Sequence, residues 1–284
     1  MELGFTTMNT PEDVGPADLA RALEAAGFTS LWIGEHSHIP TSRQTPYPAG
    51  GDLPPAYRRM MDPFLSLLAA AQATTALRVG TGVALPLEHD VFQLAKTVTT
   101  LDHLSGGRFD LGVGVGWNVE QLADHRPDIP WSARYQALAE CMAALRTLWC
   151  DDEAEVHGRF YDFAPAWADP KPLQAPHPPI IGGMAGRLGT QHAIEWADQW
   201  MPVDLSLGDV PKRITRFRAA VEEAGRAPMP IVLTAWGDPT LEKLLGYAEL
   251  GIERVVLGAG RTGWDDPTSA LGFVDRYAAL VPQL

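Results

Sequence analysis

The sequence predicts a single α/β domain over residues 1–284, a (β/α)8 TIM barrel with insertions at its C-terminal mouth. Three observations carry this. Eight short apolar runs are each followed by an amphipathic stretch. The runs are apolar almost throughout, as parallel strands covered on both faces must be. The length, 284 residues with 46% hydrophobic side chains, suits one large barrel. A doubly wound open sheet normally has fewer strands and a glycine fingerprint after strand one, which this chain lacks.

The first strand is expected at Leu3–Thr6. The helix Pro16–Ala26 follows, with Leu19 and Leu23 at i, i+4 and Gly27 as its stop. Strand Ser30–Gly34 precedes helix Pro63–Ala73, which has Asp62 as N-cap and proline at its first position. Strand Arg78–Val83 leads to helix Val91–Leu104 behind Asp90. Strand Phe109–Val115 is paired with helix Ser132–Trp149, and Pro179–Gly182 with Arg187–Trp196. Gln199–Pro202 with Val210–Ala224, Ile231–Ala235 with Thr240–Leu250, and Arg254–Leu257 with Pro267–Leu280 complete the eight. Two connections are long, 37–61 and 151–178, and both are expected to help cover the mouth; VHGRFYDF within the second reads as a turn and a short strand.

A net charge of −13 argues against nucleic acid and anionic membranes as partners. No apolar run approaches the roughly 18 residues of a membrane span, and MELGFTTMN has neither a basic region nor an apolar signal core. Cys141 and Cys150 share one predicted helix, about 13 Å apart along its axis and beyond disulfide reach. A cytoplasmic protein is the expectation.

Three segments bear on chemistry. In Arg108–Asn118 bulky residues alternate with Asp110, Gly112, Gly114 and Gly116, so one side of the strand is nearly bare. Such glycines imply close approach of something, either a planar ring at the mouth or a tightly layered barrel. Gly182-Gly183-Met184-Ala185-Gly186 opens the helix at Arg187, and its bare amides form a natural phosphate cradle, although such turns are common without a ligand. Glu35-His36-Ser37-His38 ends strand two, at the barrel face that carries active sites. An imidazole there can hydrogen-bond a reacting oxygen or move a proton near neutral pH. A metal is not expected, because strands five and six supply no histidine. His38 reads equally as a loop histidine packed against proline. His89 and His125 read as ordinary, and Trp117, directly after the bare strand, as a residue of the mouth.

TGVALP, LDHLSGGRFDLGVGVGWN, HGRFYDF, PKPLQAPHPPIIGG and WADQWMP together resemble the luciferase-like monooxygenase superfamily, and EHSHIP is similar to its deazaflavin (coenzyme F-420)-dependent branch. The resemblance runs from about Leu3 to Pro202. It implies a non-prolyl cis peptide at Gly82-Val83 backing the cofactor ring, His36 at the reactive edge as catalytic residue, and a phosphate loop at Gly182–Gly186. Glu35, His36, Gly82, Val83, Trp117, Asn118, Gly182, Gly183, Met184, Ala185, Gly186 and Arg187 are then the expected cofactor contacts, and His38, Tyr47, Trp117 and Trp236 the expected substrate pocket. Sugar-phosphate dehydrogenases of the superfamily carry a catalytic glutamate where this chain has Trp117, with Glu120 nearby but displaced, so that chemistry is not expected. The activity implied is hydride transfer between coenzyme F-420 and a small organic substrate. An FMN-dependent monooxygenase fed by a separate cofactor reductase, and a barrel that binds such a cofactor without turnover, are the alternatives. Related enzymes are dimers, and a homodimer is expected.

Overall fold

The computed structural model describes residues 1–261 and 267–284. Eight parallel strands form the central sheet: β1 (Glu2–Thr7), β2 (Ser30–Ile33), β3 (Arg78–Thr81), β4 (Phe109–Val113), β7 (Ile180–Gly182), β8 (Gln199–Trp200), β9 (Val232–Trp236) and β10 (Arg254–Ala259). Between β4 and β7 a two-stranded antiparallel hairpin, β5 (Ala154–His157) and β6 (Asp162–Ala166), stands apart. The ladder runs β8-β7-β4-β3-β2-β1-β10-β9. Isolated parallel bridges Trp200↔Ile231 and Val203↔Thr234 link its two ends, which gives a nearly closed TIM barrel.

The helices are α1 (Pro16–Ala25), α2 (Pro63–Gln72), α3 (Val91–Ser105), α4 (Val119–His125), α5 (Arg134–Cys150), α6 (Arg187–Trp196), α7 (Val210–Glu223), α8 (Leu241–Glu249) and α9 (Pro267–Ala278). Their starts follow local chemistry. The Asp62, Asp90 and Asp209 carboxylates accept from backbone N–H groups three residues on, and the Thr240 hydroxyl does the same for α8. Gly106, at φ +67°, ends α3 in the left-handed region.

Every strand expected from the sequence is present, several one to two residues shorter at the C-terminal end. One helix was not expected. α4 has only seven residues, too few for an apolar period to emerge, yet Asn118 caps it by accepting from Gln121 N at 3.0 Å. Asn with Gln three residues later is a capping signature, legible in the sequence. Two of the helices also start later than expected, α5 at Arg134 and α8 at Leu241.

The core is a layer between strands and helices, filled by residues such as Phe5, Leu31, Val79, Phe109 and Leu111, all fully buried or nearly so. Ion pairs brace the other end of the barrel: the buried Asp110 carboxylate meets Arg78 and Arg254. Cys141 is buried, Cys150 exposed, and both are free. No helix among the described residues is long and apolar enough to cross a membrane.

Candidate active site

The glycines of β4 have a definite partner, which is protein. A Cβ on Gly112 would stand 2.0 Å from the Thr81 carbonyl oxygen, and one on Gly114 would stand 2.8 Å from Val83 Cγ2. A Cβ on Gly183 would meet Val83 Cγ1 at 2.4 Å. These bare positions make room for the bulge that follows β3, where the Gly82-Val83 peptide bond is cis. The planar ring offered as their explanation is therefore unnecessary at Gly112 and Gly114: the close approach that excludes side chains is made by the neighbouring strand.

Above this bulge lies a cavity of about 300 Å³, at the low end for small-molecule sites. It is lined by the C-terminal ends of β1, β9 and β10 and by the segments after β2, β3, β4 and β8, with Val83, His36, Trp117, Tyr57, Met201 and Trp236 among its walls. A larger hollow of about 530 Å³ lies at the opposite, N-terminal end of the strands, lined by Met1, Glu2, Arg254 and neighbours. Position decides between them, because barrels place their chemistry at the C-terminal end.

His36 stands at the cavity wall with both ring nitrogens engaged. Nδ1 lies 2.8 Å from Gln121 Oε1, and the Trp117 indole N–H donates to Nε2 at 3.2 Å. Burial lowers its pKa, partly offset by the Gln121 contact and the charge of Glu35. Tyr57 and Trp117 each meet the His36 ring edge-on, at centroid distances of 5.5 and 5.6 Å. The remainder is supplied by residues that sequence reasoning missed. Gln121 is 1% exposed and donates from Nε2 to Glu88 at 2.9 Å. Burial drives the Glu88 pKa up to about 7, against the hydrogen bonds from Gln121 and Ser37.

The expected contacts divide. Glu35, His36, Gly82, Val83, Trp117 and Trp236 do line the cavity. Glu35 nonetheless spends its buried carboxylate on protein, accepting from Leu85 N at 2.7 Å and contacting His89 Nε2 at 2.8 Å. His89 is thus no ordinary residue: burial opposes its charge, but the bond and charge of Glu35 outweigh that and raise its pKa. His38 contacts Asp124, 3.0 Å away, and Ser37, and does not enter the cavity lining. Tyr47 sits behind Tyr57, with their hydroxyls 3.2 Å apart. Asn118 caps α4 through Oδ1, and its buried Nδ2 has no hydrogen-bond partner. Glu120, lowered to about 2, is clamped by Thr45 and Ser42 of the 37–61 connection, with burial acting the other way. It holds that loop and does not enter the cavity lining.

The segment Gly182–Arg187 lies outside the cavity lining. Gly182 is packed against Ala193 and Ala197, and Met184 is buried with its carbonyl accepting from Trp200 Nε1 at 2.7 Å. The Ala185 carbonyl accepts from Arg213 at 2.7 Å. Gly186 and Arg187 are exposed at the start of α6. No group of three or more His, Cys, Asp or Glu among the described residues is placed to hold a metal.

Glu88 yields a pH-dependent expectation. Its folded pKa of about 7 exceeds the ordinary carboxyl value of 4.5, so its contribution is fully present below about pH 4.5 and is lost as pH rises through 7. Relative to Glu88→Gln, the natural protein should lose up to about 3 kcal/mol between pH 5 and 8. Urea denaturation of both at the two pH values measures this. Parallel pH curves would refute it.

The luciferase-like monooxygenase family model matches residues 10–238. A protein of Mycobacterium tuberculosis (strain ATCC 25618 / H37Rv) is 40% identical over 288 residues, covering 98% of each chain. The oxygenase component of a flavin-dependent trigonelline monooxygenase from Acinetobacter baylyi is 30% identical over 210 residues, covering 72% of this chain and 53% of that one. Among solved structures, monooxygenase RslO1 from Streptomyces bottropensis superposes with a TM-score of 0.79 at 19% identity, covering 100% and 99% of the two chains. An F420-dependent secondary alcohol dehydrogenase in complex with an F420-acetone adduct superposes with a TM-score of 0.74 at 16% identity, covering 99% and 98%. With the barrel, the cis bulge and these matches in agreement, the chain belongs to the luciferase-like monooxygenase family and is an oxidoreductase of that kind.

Proposed function

We propose that this cavity takes coenzyme F-420 and that the protein transfers a hydride between it and a small organic substrate. The observation that carries the reading is the Val83 bulge, seated on three glycine-bared positions directly beneath the cavity and beside His36. The residues suit such a group in two places. Gly82 and Val83 would back its ring at the mouth. The first turn of α6 would receive its phosphate: Gly186 offers no side-chain cap, nothing lies within 4 Å of where its Cβ would be, and the buried Thr190 hydroxyl oxygen has no hydrogen-bond partner. The bound cofactor would supply the hydride chemistry. The chain's own part is to hold the ring, to exclude water with Trp117, Tyr57 and Trp236, and to present His36 to the reacting group. Likeness in fold to an F420-dependent dehydrogenase supports this cofactor. The second reading, an FMN-dependent monooxygenase served by a separate reductase, draws support from the trigonelline monooxygenase relative.

Titration of the purified protein with F-420 and with FMN, followed by fluorescence, separates the two. Saturable binding of F-420 in preference to FMN is expected, and the reverse preference with oxygen consumption on reduced FMN would overturn the proposal. His36→Ala should lower turnover by about 10²–10³-fold with cofactor affinity little changed. Lost affinity at normal turnover would remove His36 from its assigned role.

A further inference from the structure

The hydrogen bonds around His36 have a fixed polarity. Glu88, once ionised, can only accept, so the amide of Gln121 must turn its NH2 toward Glu88 and its oxygen toward His36. An oxygen 2.8 Å from Nδ1 requires that nitrogen to carry the proton. On the other side of the ring the Trp117 indole N–H is a donor only, and it faces Nε2. Reversing the amide would set oxygen against carboxylate; its NH2 could then donate only to an unprotonated Nδ1, and the proton moved to Nε2 would stand N–H against N–H at Trp117. The arrangement is rigidly mounted. Gln121 lies in the first turn of α4, whose cap Asn118 holds its backbone N–H, and Glu88 is held from a second side by the Ser37 hydroxyl at 3.2 Å.

We propose that Gln121, oriented by Glu88, is a positioning residue that fixes the proton of neutral His36 on Nδ1 and leaves Nε2 as an acceptor beside Trp117. The polarity of the cavity wall then follows from an amide and a carboxylate that lie behind His36. The nitrogen beside Trp117 accepts, so a group that takes the place of the indole N–H there must arrive as a donor. Second partners of this kind commonly determine which imidazole nitrogen is available.

The test reads the tautomer directly and needs no cofactor or turnover, so it stands or falls separately from the assignment of F-420. The protein is labelled with 15N-histidine, and the His36 ring is assigned by its loss in His36→Gln. At pH 8 the wild-type ring is expected to show a protonated Nδ1 and an unprotonated Nε2. Trp117→Phe removes the rival constraint and should leave that pattern in place, whereas adding Gln121→Leu to it should bring the two nitrogen shifts together. Exchanging the pair, Gln121→Glu with Glu88→Gln, keeps an acceptor at Nδ1 and brings the charge next to it, so the His36 pKa followed by the same signals should rise by about one unit or more. A wild-type proton on Nε2, a pattern lost in Trp117→Phe alone, a Trp117→Phe/Gln121→Leu variant identical to Trp117→Phe, or an unmoved pKa in the exchanged pair would each overturn the inference.

Discussion

Gly112→Ala should destabilise the protein by about 3 kcal/mol, the upper range for overpacking. The new methyl would stand 2.0 Å from the Thr81 carbonyl oxygen, which is backbone and has no rotamer in which to escape. Relief by strand movement is also blocked. The Gly112 carbonyl accepts from Thr81 Oγ1 at 2.7 Å and from Ala84 N at 2.8 Å, so β4 is tied to the bulge at the clashing residue. Shifting it would forfeit those bonds and move Val83 beneath the cavity. Gly186→Ala is the control: with nothing within 4 Å of its Cβ and φ −65°, it should change stability by no more than about 0.5 kcal/mol. Denaturant midpoints for both variants are the measurement. A Gly112→Ala protein as stable as Gly186→Ala would show that the bulge is not what those glycines accommodate.

The second large effect is expected at Asp204, a buried carboxylate following β8. It accepts from Lys243 Nζ at 2.7 Å, from the Tyr247 hydroxyl at 2.8 Å and from Trp236 N at 2.9 Å. It thus ties α8 to the end of β9 at the residue where β9 enters the cavity wall. Asp204→Ala leaves a buried hydroxyl and a buried N–H without their acceptor. The Lys243 ammonium stays solvated, its side chain being 43% exposed, so the loss falls at the lower end for broken buried pairs, about 3 kcal/mol. Asp204→Asn keeps the shape and part of the bonding and should cost less than half as much. Because Trp236 is released, the alanine variant should also bind ligand more weakly in the cavity than the asparagine variant. Equal stability of the two, with unchanged binding, would separate Asp204 from the cavity wall.

How much of this was legible in the chain depends on distance along it. The eight strand-helix units could be read because each is local: a run of four to six apolar residues, a turn and a capped amphipathic helix. Val83 and the cis bond before it were reached through a motif of six consecutive residues. Gln121 and Glu88 carried no such signal. Gln121 touches His36 from 85 positions away, on a seven-residue helix too short to show a period, and Glu88 reaches Gln121 across 33. Glu35 and His89 likewise read as unrelated until folding places them 2.8 Å apart.

Sequence alone determined the barrel and the need for close approach at Gly112 and Gly114. Hydrophobic patterning, caps and missing side chains are properties of neighbouring residues. The tertiary structure alone decided what makes that approach, Thr81 at the end of β3 and Val83 of the bulge beyond it. It also decided which polar groups behind His36 are buried together. Those outcomes depend on strand register and on which carboxylates lose water, and both are set only when segments far apart in the chain close into one barrel.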